Sequence, residues 1–494
     1  MTGIAELARG VVFAGIDRIV ESSSVPPFGG YVLFGRDDPS IDDVHQLTAG
    51  LRERCAPEPP PVIAIDQEGG RVVRLRRGVE PMPSMMALGA VDDLELAVRA
   101  GEQVAFDLRR AGCTMDFAPV LDLALQPRNT AIGSRSLGSD PARVGELAAA
   151  FARGLQRGGI VPCYKHFPGH GDTSEDSHET VPVVEADAET LHRRDLAPFA
   201  RIAAEAPAIM LAHVVVRALD ENRVASASEK IAGGVLRGLD FTGIAITDCL
   251  TMAGAGDSSQ AAVSALVAGA DAVIVSRPWE AAEAAVDAIV QAAAEERLTL
   301  ERLNDAYERI VRVRATASDA LAVDEFPPHP GVGREIARRA VTLVRGLAHA
   351  DPLTCAVLSF EGTTADGVVP DDVRRPSLSA EAPALAYVAL PIDPQPGALD
   401  RAFALLARTG RRPIVLARRA HLYDRQAGAI GSIVARYPDA LVVSALEPFD
   451  VPLFSHAQHV VACYGDDAAA IGGLADVLFA NVLPEGRLPV DLSW

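Results

Sequence analysis

From residue 31 to residue 275 the chain alternates short apolar runs with Ala-rich segments whose apolar residues recur at helical spacing, and this pattern restricts the fold more than any other feature. The candidate strands are Tyr31 to Phe34, Val62 to Ile65, Met115 to Ala118, Ile160 to Tyr164, Ala208 to Leu211, Gly243 to Ile246 and Ala272 to Val275. Segments such as Asp92 to Ala111 supply the intervening helices. Repeated parallel βα units of this length close most economically as a (β/α)8 barrel of the TIM type. One strand of the eight does not stand out, so a closed and an irregular barrel both fit the pattern.

Polar residues follow each apolar run in a consistent way. Ile65 leads to Asp66, Ala118 to Pro119 and then Asp122, Tyr164 to Lys165 and His166, Leu211 to Ala212 and His213, and Thr247 to Asp248. In a barrel these strand ends share one rim, where such enzymes place their chemistry. A doubly wound open sheet would require a Gly-rich phosphate fingerprint after the first strand, and none is present.

At 494 residues the chain exceeds what one hydrophobic core usually supports. The composition changes after Asp324, where EFPPHPGVGRE reads as a linker. The expected organisation is a barrel over residues 1–325, a linker over 326–335 and a smaller α/β sandwich over 336–494. The second domain's apolar runs are Cys355 to Phe360, Ala384 to Leu390, Pro413 to Ala417, Ala440 to Ala445 and His459 to Tyr464.

Lys and Arg number 46 against 66 Asp and Glu, a net charge of −20 that disfavours binding to nucleic acid or an anionic membrane. No window approaches twenty uninterrupted apolar residues, and the N-terminal stretch lacks the layout of a secretion signal. Cys55, Cys113, Cys163, Cys249, Cys355 and Cys463 are scattered without CxxC pairs, as reduced thiols in a cytoplasmic protein would be. The expected partner is a small or neutral molecule.

The densest chemistry lies in KHFPGHGDTSEDSH, Lys165 to His178, which gathers one Lys, three His, two Asp and one Glu at a strand's end. Pro168, Gly169 and Gly171 stop helix or strand from continuing. The segment resembles the family 3 glycoside hydrolases, in their β-N-acetylglucosaminidase branch, where KHFPGHGDTxxDSH forms the catalytic loop. NTAIGSRSLG, Asn129 to Gly138, resembles the same family's IGxRSFG element, with Leu137 in place of Phe. ITDCLTMAGA, Ile246 to Ala255, matches its TDxLxM pattern, with Cys249 in place of a common second Asp. The ending NVLPEGRLPVDLSW resembles the close of two-domain members.

The resemblance implies roles. Asp248 is the nucleophile, and His178, oriented by Asp176, is the acid/base. A carboxylate two residues before an imidazole can hydrogen-bond it and raise its pKa. Sugar hydroxyls are well held by a carboxylate with a fork-shaped donor nearby, which suits Asp66 and Arg74 in IDQEGGRVVRL. By resemblance Asp66, Arg74, Arg135, Lys165 and His166 bind the sugar. The blander readings are barrel-rim salt bridges for Asp66, Arg74 and Lys165 and a helix cap for Asp248.

A zinc site built from His166, His170, His178 and Asp172 fits no compact ligand spacing, so no metal is expected. His170 and Asp172 read as internal braces, and His213 stays outside the catalytic set. The implied activity is retaining, exo-acting hydrolysis of terminal β-linked GlcNAc, from peptidoglycan fragments, with no cofactor. Three rivals remain: a phosphorylase, because a neutral imidazole does not repel phosphate; a β-glucosidase of the same family taking its acid from the second domain, with Glu447 as stand-in; and a non-catalytic sugar-binding protein.

Overall fold

Eight parallel strands close on themselves in chain order: β1 (Val12–Ile16), β2 (Gly30–Leu33), β3 (Val62–Ile65), β4 (Met115–Asp116), β5 (Val161–Phe167), β6 (Ala208–Leu211), β7 (Ile244–Cys249) and β8 (Ala272–Val275). The computed structural model describes residues 3–55, 60–173, 181–252, 256–276, 278–321, 328–362 and 377–492. The ring is completed by β1 pairing with both β8 and β2. Helices cover the outside and side chains fill the inside, so the strands are buried on both faces and read as unbroken apolar runs. Each Val or Ile placed there contributes about 1.5–3 kcal/mol through burial.

The eighth strand, indistinct in the sequence pattern, is β1. It follows the helix Ile4–Gly10 after one residue, so helix and strand merge into one apolar stretch. The barrel is closed, and the irregular alternative is set aside.

Helix starts are written into the sequence. The Asp93 side chain accepts from the backbone N–H groups of Glu95 and Leu96 at the start of Leu94–Arg110. Asp140 accepts from Arg143 ahead of Pro141–Arg157, whose first position is proline. Asp257 caps Ser258–Ala268, which ends at Gly269 with φ +118°. Such caps satisfy backbone donors that have no partner inside the helix.

The second sheet has six strands: β9 (Thr342–Arg345), β10 (Cys355–Glu361), β11 (Ala386–Pro391), β12 (Arg412–Ala417), β13 (Leu441–Ser444) and β14 (His459–Ala462). Their spatial order is β9-β14-β13-β12-β10-β11, all parallel except the pairing of β9 with β14. The helix Val332–Ala340 begins inside the stretch expected to be linker. It carries an apolar stripe of Val332, Ile336, Ala337 and Ala340, which gives those residues a reason to be helical that Pro and Gly upstream obscure.

Polar contacts join the two parts. Arg71 and Arg418 both pair with Asp466, at 3.2 and 3.0 Å, and the Ser84 hydroxyl donates to the Tyr464 carbonyl at 2.5 Å.

Candidate active site

Two of the barrel strands are longer than their apolar cores, and the extra residues carry the chemistry. β5 runs on through Lys165 and His166, with a register shift against β6 between Tyr164 and Phe167 and a cis peptide between Lys165 and His166. β7 runs on through Asp248, with a shift against β8 between Ile246 and Cys249. Irregular pairing at a strand end re-aims side chains that regular alternation would send into the core or the helix layer.

Asp66, directly after β3, accepts from Lys165 Nζ at 2.7 Å and lies 3.3 Å from Arg74. Arg74 is brought back by a turn, Gln67–Gly69 pairing with Val72–Val73, and the Gln67 amide oxygen accepts the backbone N–H groups of Arg74 and Leu75. Glu68 is the centre of the cluster. It receives Lys165 Nζ at 2.5 Å and both forks of Arg135 at 2.8 Å. Bidentate pairing of this kind fixes the guanidinium plane as well as its position.

The buried charges hold one another ionised. Burial works to raise the Asp66 and Glu68 carboxyls, but Lys165 with Arg74 holds Asp66, and Arg135 with Lys165 holds Glu68, below the usual carboxylate range. Burial likewise works against the cations, and Asp66 and Glu68 overcome it at Lys165, as Glu68 does at Arg135, to raise both. Asp116 is the exception. Burial, aided by Asp66 and Glu68, pushes its carboxyl up to about 8 against the backbone N–H of Gln67 and the charge of Lys165. One of its oxygens accepts from Gln67, and the other is buried with no hydrogen-bond partner among the described residues.

His166 is fixed by Asp122, whose Oδ2 lies 2.6 Å from Nδ1 and 3.1 Å from the His166 backbone nitrogen. The Asp122 carboxyl is pushed up by burial and held down more strongly by His166, so it is ionised and accepts, and Nδ1 donates. Its other oxygen accepts the His170 backbone N–H at 2.6 Å. His170 Nδ1 meets the Thr173 hydroxyl, and Asp172 pairs with Arg194. These two residues therefore brace the start of the loop, as expected. Burial lowers the His170 and His213 pKa values. His213 contacts the Ser226 hydroxyl and the Cys249 carbonyl, which makes it a satisfied core histidine beside Asp248.

Asp66, Arg74, Arg135, Lys165, His166 and Asp248 line one cavity of about 430 Å³. Asp248 Oδ1 accepts the Cys249 backbone N–H at 2.7 Å, and burial raises the Cys249 thiol. Asp176 and His178 lie outside the described residues.

Glu447, the stand-in acid for a β-glucosidase, does not line this cavity. Burial works to raise it, but Arg419 holds it at about 2, with bonds of 2.9 and 2.8 Å. A carboxyl already ionised has no proton to give near neutral pH, so this stand-in is withdrawn.

Sequence reasoning left Glu68, Asp116, Asp122 and Asn129 without roles. Asp122 carried a usable signal, a carboxylate shortly after a strand. The Asn129 side chain donates to the His170 carbonyl at 2.8 Å, a contact over 41 residues that no local pattern announces.

Residues 15–313 match the glycosyl hydrolase family 3 N-terminal domain. The chain is 39% identical over 269 residues to a beta-hexosaminidase of Pseudomonas aeruginosa, covering 53% of this chain and 80% of that one. It is 39% identical over 277 residues to a beta-hexosaminidase of Chromobacterium violaceum, covering 54% and 76%. A family 3 beta-N-acetylglucosaminidase from Paenibacillus sp. str. FPU-7 superposes with a TM-score of 0.91 at 31% identity, over 100% of this chain and 99% of that one. A closed barrel with a sugar-sized polar cavity at its rim and such relatives is a glycoside hydrolase. The chain belongs to glycosyl hydrolase family 3.

Proposed function

We propose that this enzyme is a retaining exo-β-N-acetylglucosaminidase that removes terminal β-linked GlcNAc, with peptidoglycan fragments as its substrates. The reading rests on one observation: a strand-end carboxylate, Asp248, shares a cavity with Asp66, Arg74, Arg135, Lys165 and His166, a set of acceptors and donors suited to sugar hydroxyls. Relatives named beta-hexosaminidase and beta-N-acetylglucosaminidase support the substrate class.

In the first step an Asp248 oxygen attacks the anomeric carbon while His178, protonated and paired with Asp176, gives its proton to the leaving oxygen. The aglycone departs and a glycosyl ester with Asp248 remains. In the second step neutral His178 takes a proton from water, whose oxygen attacks the same carbon and frees Asp248. Two inversions return the β configuration. Asp66 and Arg74 hold the hydroxyls of the terminal sugar, and Arg135, Lys165 and His166 complete the grip. The chemistry needs no cofactor.

Residues 1–325 form the catalytic domain in this reading, 326–335 a connection whose end is helical, and 336–494 a supporting domain. Among the described residues, Cys113, Cys163, Cys249, Cys355 and Cys463 are free thiols, which favours the cytoplasm, and no helix is long and apolar enough to cross a membrane.

Turnover of a GlcNAc-containing muropeptide disaccharide, with mass analysis of both products and with or without phosphate, tests the reading. Free GlcNAc under both conditions is expected. Glycosyl phosphate would make the enzyme a phosphorylase, and binding without turnover would make it a sugar-binding protein.

A further inference from the structure

Glu447 is too well built to be an idle surface group, yet it is not among the residues that line the cavity. It follows β13, is 3% exposed, and is closed by both forks of Arg419. Arg419 itself sits at φ +53°, a left-handed conformation uncommon for a side-chain-bearing residue.

The pair faces the barrel loop that carries Arg135. Gly133–Arg135 is a 3-10 turn whose early N–H groups have no partner within the turn. Gly133 donates to the Asn129 carbonyl and Arg135 to the Ile132 carbonyl. The Ser134 N–H between them donates to Glu447 Oε1 at 3.0 Å. The approach is so close that a Cβ on Gly133, already at φ +44°, would stand 2.1 Å from that oxygen. The same loop is held by His421 Nε2 on the Pro127 carbonyl at 2.9 Å and by Arg419 on the Thr130 carbonyl at 3.4 Å. Its other end meets the Pro489 carbonyl through Ser139 N–H. Arg135 then enters the cavity and closes on Glu68.

We propose that Glu447, clamped by Arg419, is a positioning residue of the second domain that sets Arg135 for sugar binding through the Ser134 backbone. The proposal rests on the reading of Arg135 as a sugar-binding residue. The second domain thus contributes to substrate binding without touching substrate.

The test is Glu447→Gln in the full-length enzyme, assayed on nitrophenyl β-GlcNAc alone and combined with Arg135→Ala. Glu447→Gln is expected to raise KM about 10- to 100-fold with kcat within about 3-fold, the size of one misplaced charge-assisted contact. In the Arg135→Ala background the same substitution should change kcat/KM by less than about 2-fold, because the two act along one line. Amide exchange at Ser134 should accelerate in Glu447→Ala, which removes the acceptor that Gln would keep, a readout independent of any substrate. If Glu447→Gln does not fold, Gly133→Ala displaces the same carboxylate and should give the same KM rise and the same masking by Arg135→Ala. Equal losses in both backgrounds, or Ser134 exchange in Glu447→Ala unchanged from wild type, would overturn the proposal. A wild-type enzyme inactive on β-GlcNAc would instead sink the substrate reading, with the exchange experiment still deciding the brace.

Discussion

Asp122 Oδ2 accepts both the side chain and the backbone of His166, at 2.6 and 3.1 Å, so one carboxylate oxygen sets the ring's tautomer and the strand end that carries it. Nε2 is left to face the cavity, 3.4 Å from an Arg135 nitrogen. Replacing the carboxylate frees the ring to flip and leaves the His170 N–H short of an ionised acceptor.

Asp122→Asn should therefore weaken substrate binding more than chemistry. We expect kcat/KM to fall about 10- to 100-fold, mostly through KM, as for other groups that orient a liganding imidazole. Steady-state kinetics on nitrophenyl β-GlcNAc checks this. There is also a pH consequence, because the Asp122 pKa is depressed in the folded protein. Its contribution to stability is present above the unfolded carboxylate value and is lost as pH falls through the folded one. Melting curves below pH 4 should decline less steeply in Asp122→Asn than in wild type.

Asp116 has the opposite sign. Its folded pKa is raised to about 8, so its neutral form stabilises the native state fully below the unfolded carboxylate value, and that contribution disappears as pH rises towards 8. Asp116→Asn keeps an acceptor for the Gln67 N–H and cannot ionise. The Tm difference between the variant and wild type should shift in the variant's favour by about 2–4 °C from pH 5 to pH 8. A constant offset across that range would mean that Asp116 is ionised throughout.

The barrel was legible because burial on both faces forces unbroken apolar runs, and seven of eight strands advertised themselves that way. β1 did not, because the preceding helix shares its composition. Within the site, residues at strand ends were legible from position alone: Asp66, Lys165, His166 and Asp248 all follow apolar runs. What sequence could not supply was pairing across distance. Arg135 meets Glu68 across 67 residues and Glu447 meets Ser134 across 313, and neither partner's neighbours hint at the other. The reading of Glu447 as a stand-in acid for the β-glucosidase alternative has the same origin. Its chemistry is set by Arg419, 28 residues away, and only the folded chain brings the two together.

Asp248→Ala should remove at least about 10³-fold of kcat, as expected for a group that forms the covalent bond. The fold should survive, since β7 is held by buried Ile244, Ala245 and Ile246 and pairs with strands on both sides. A fluorinated GlcNAc inactivator followed by peptide mapping locates the ester. Label on a peptide lacking Asp248 would assign the nucleophile elsewhere. With Asp248 in that role, proton NMR of the early reaction shows the β anomer of GlcNAc first, and α product would exclude double displacement.

The acid/base assignment is tested through the leaving group. If His178 protonates the departing oxygen, its loss harms substrates whose leaving group needs a proton and spares those whose leaving group does not. His178→Ala should lower kcat/KM by about 10²–10⁴-fold on a natural disaccharide and much less on a nitrophenyl glycoside, whose leaving anion is already stable. Deglycosylation also needs the base, so the ester should accumulate on nitrophenyl substrates, and azide should relieve the block by attacking without proton removal. Asp176→Asn should be milder. The amide oxygen still accepts from the imidazole, but the charge that favours imidazolium is gone, so the His178 pKa falls. Since kcat/KM reports the free enzyme and the first step needs His178 protonated, its alkaline limb should move to lower pH. A His178→Ala loss equal on every leaving group would make His178 a positioning residue. The acid would then be sought among groups that still hold a proton at neutral pH, which excludes Glu447 because Arg419 keeps it ionised.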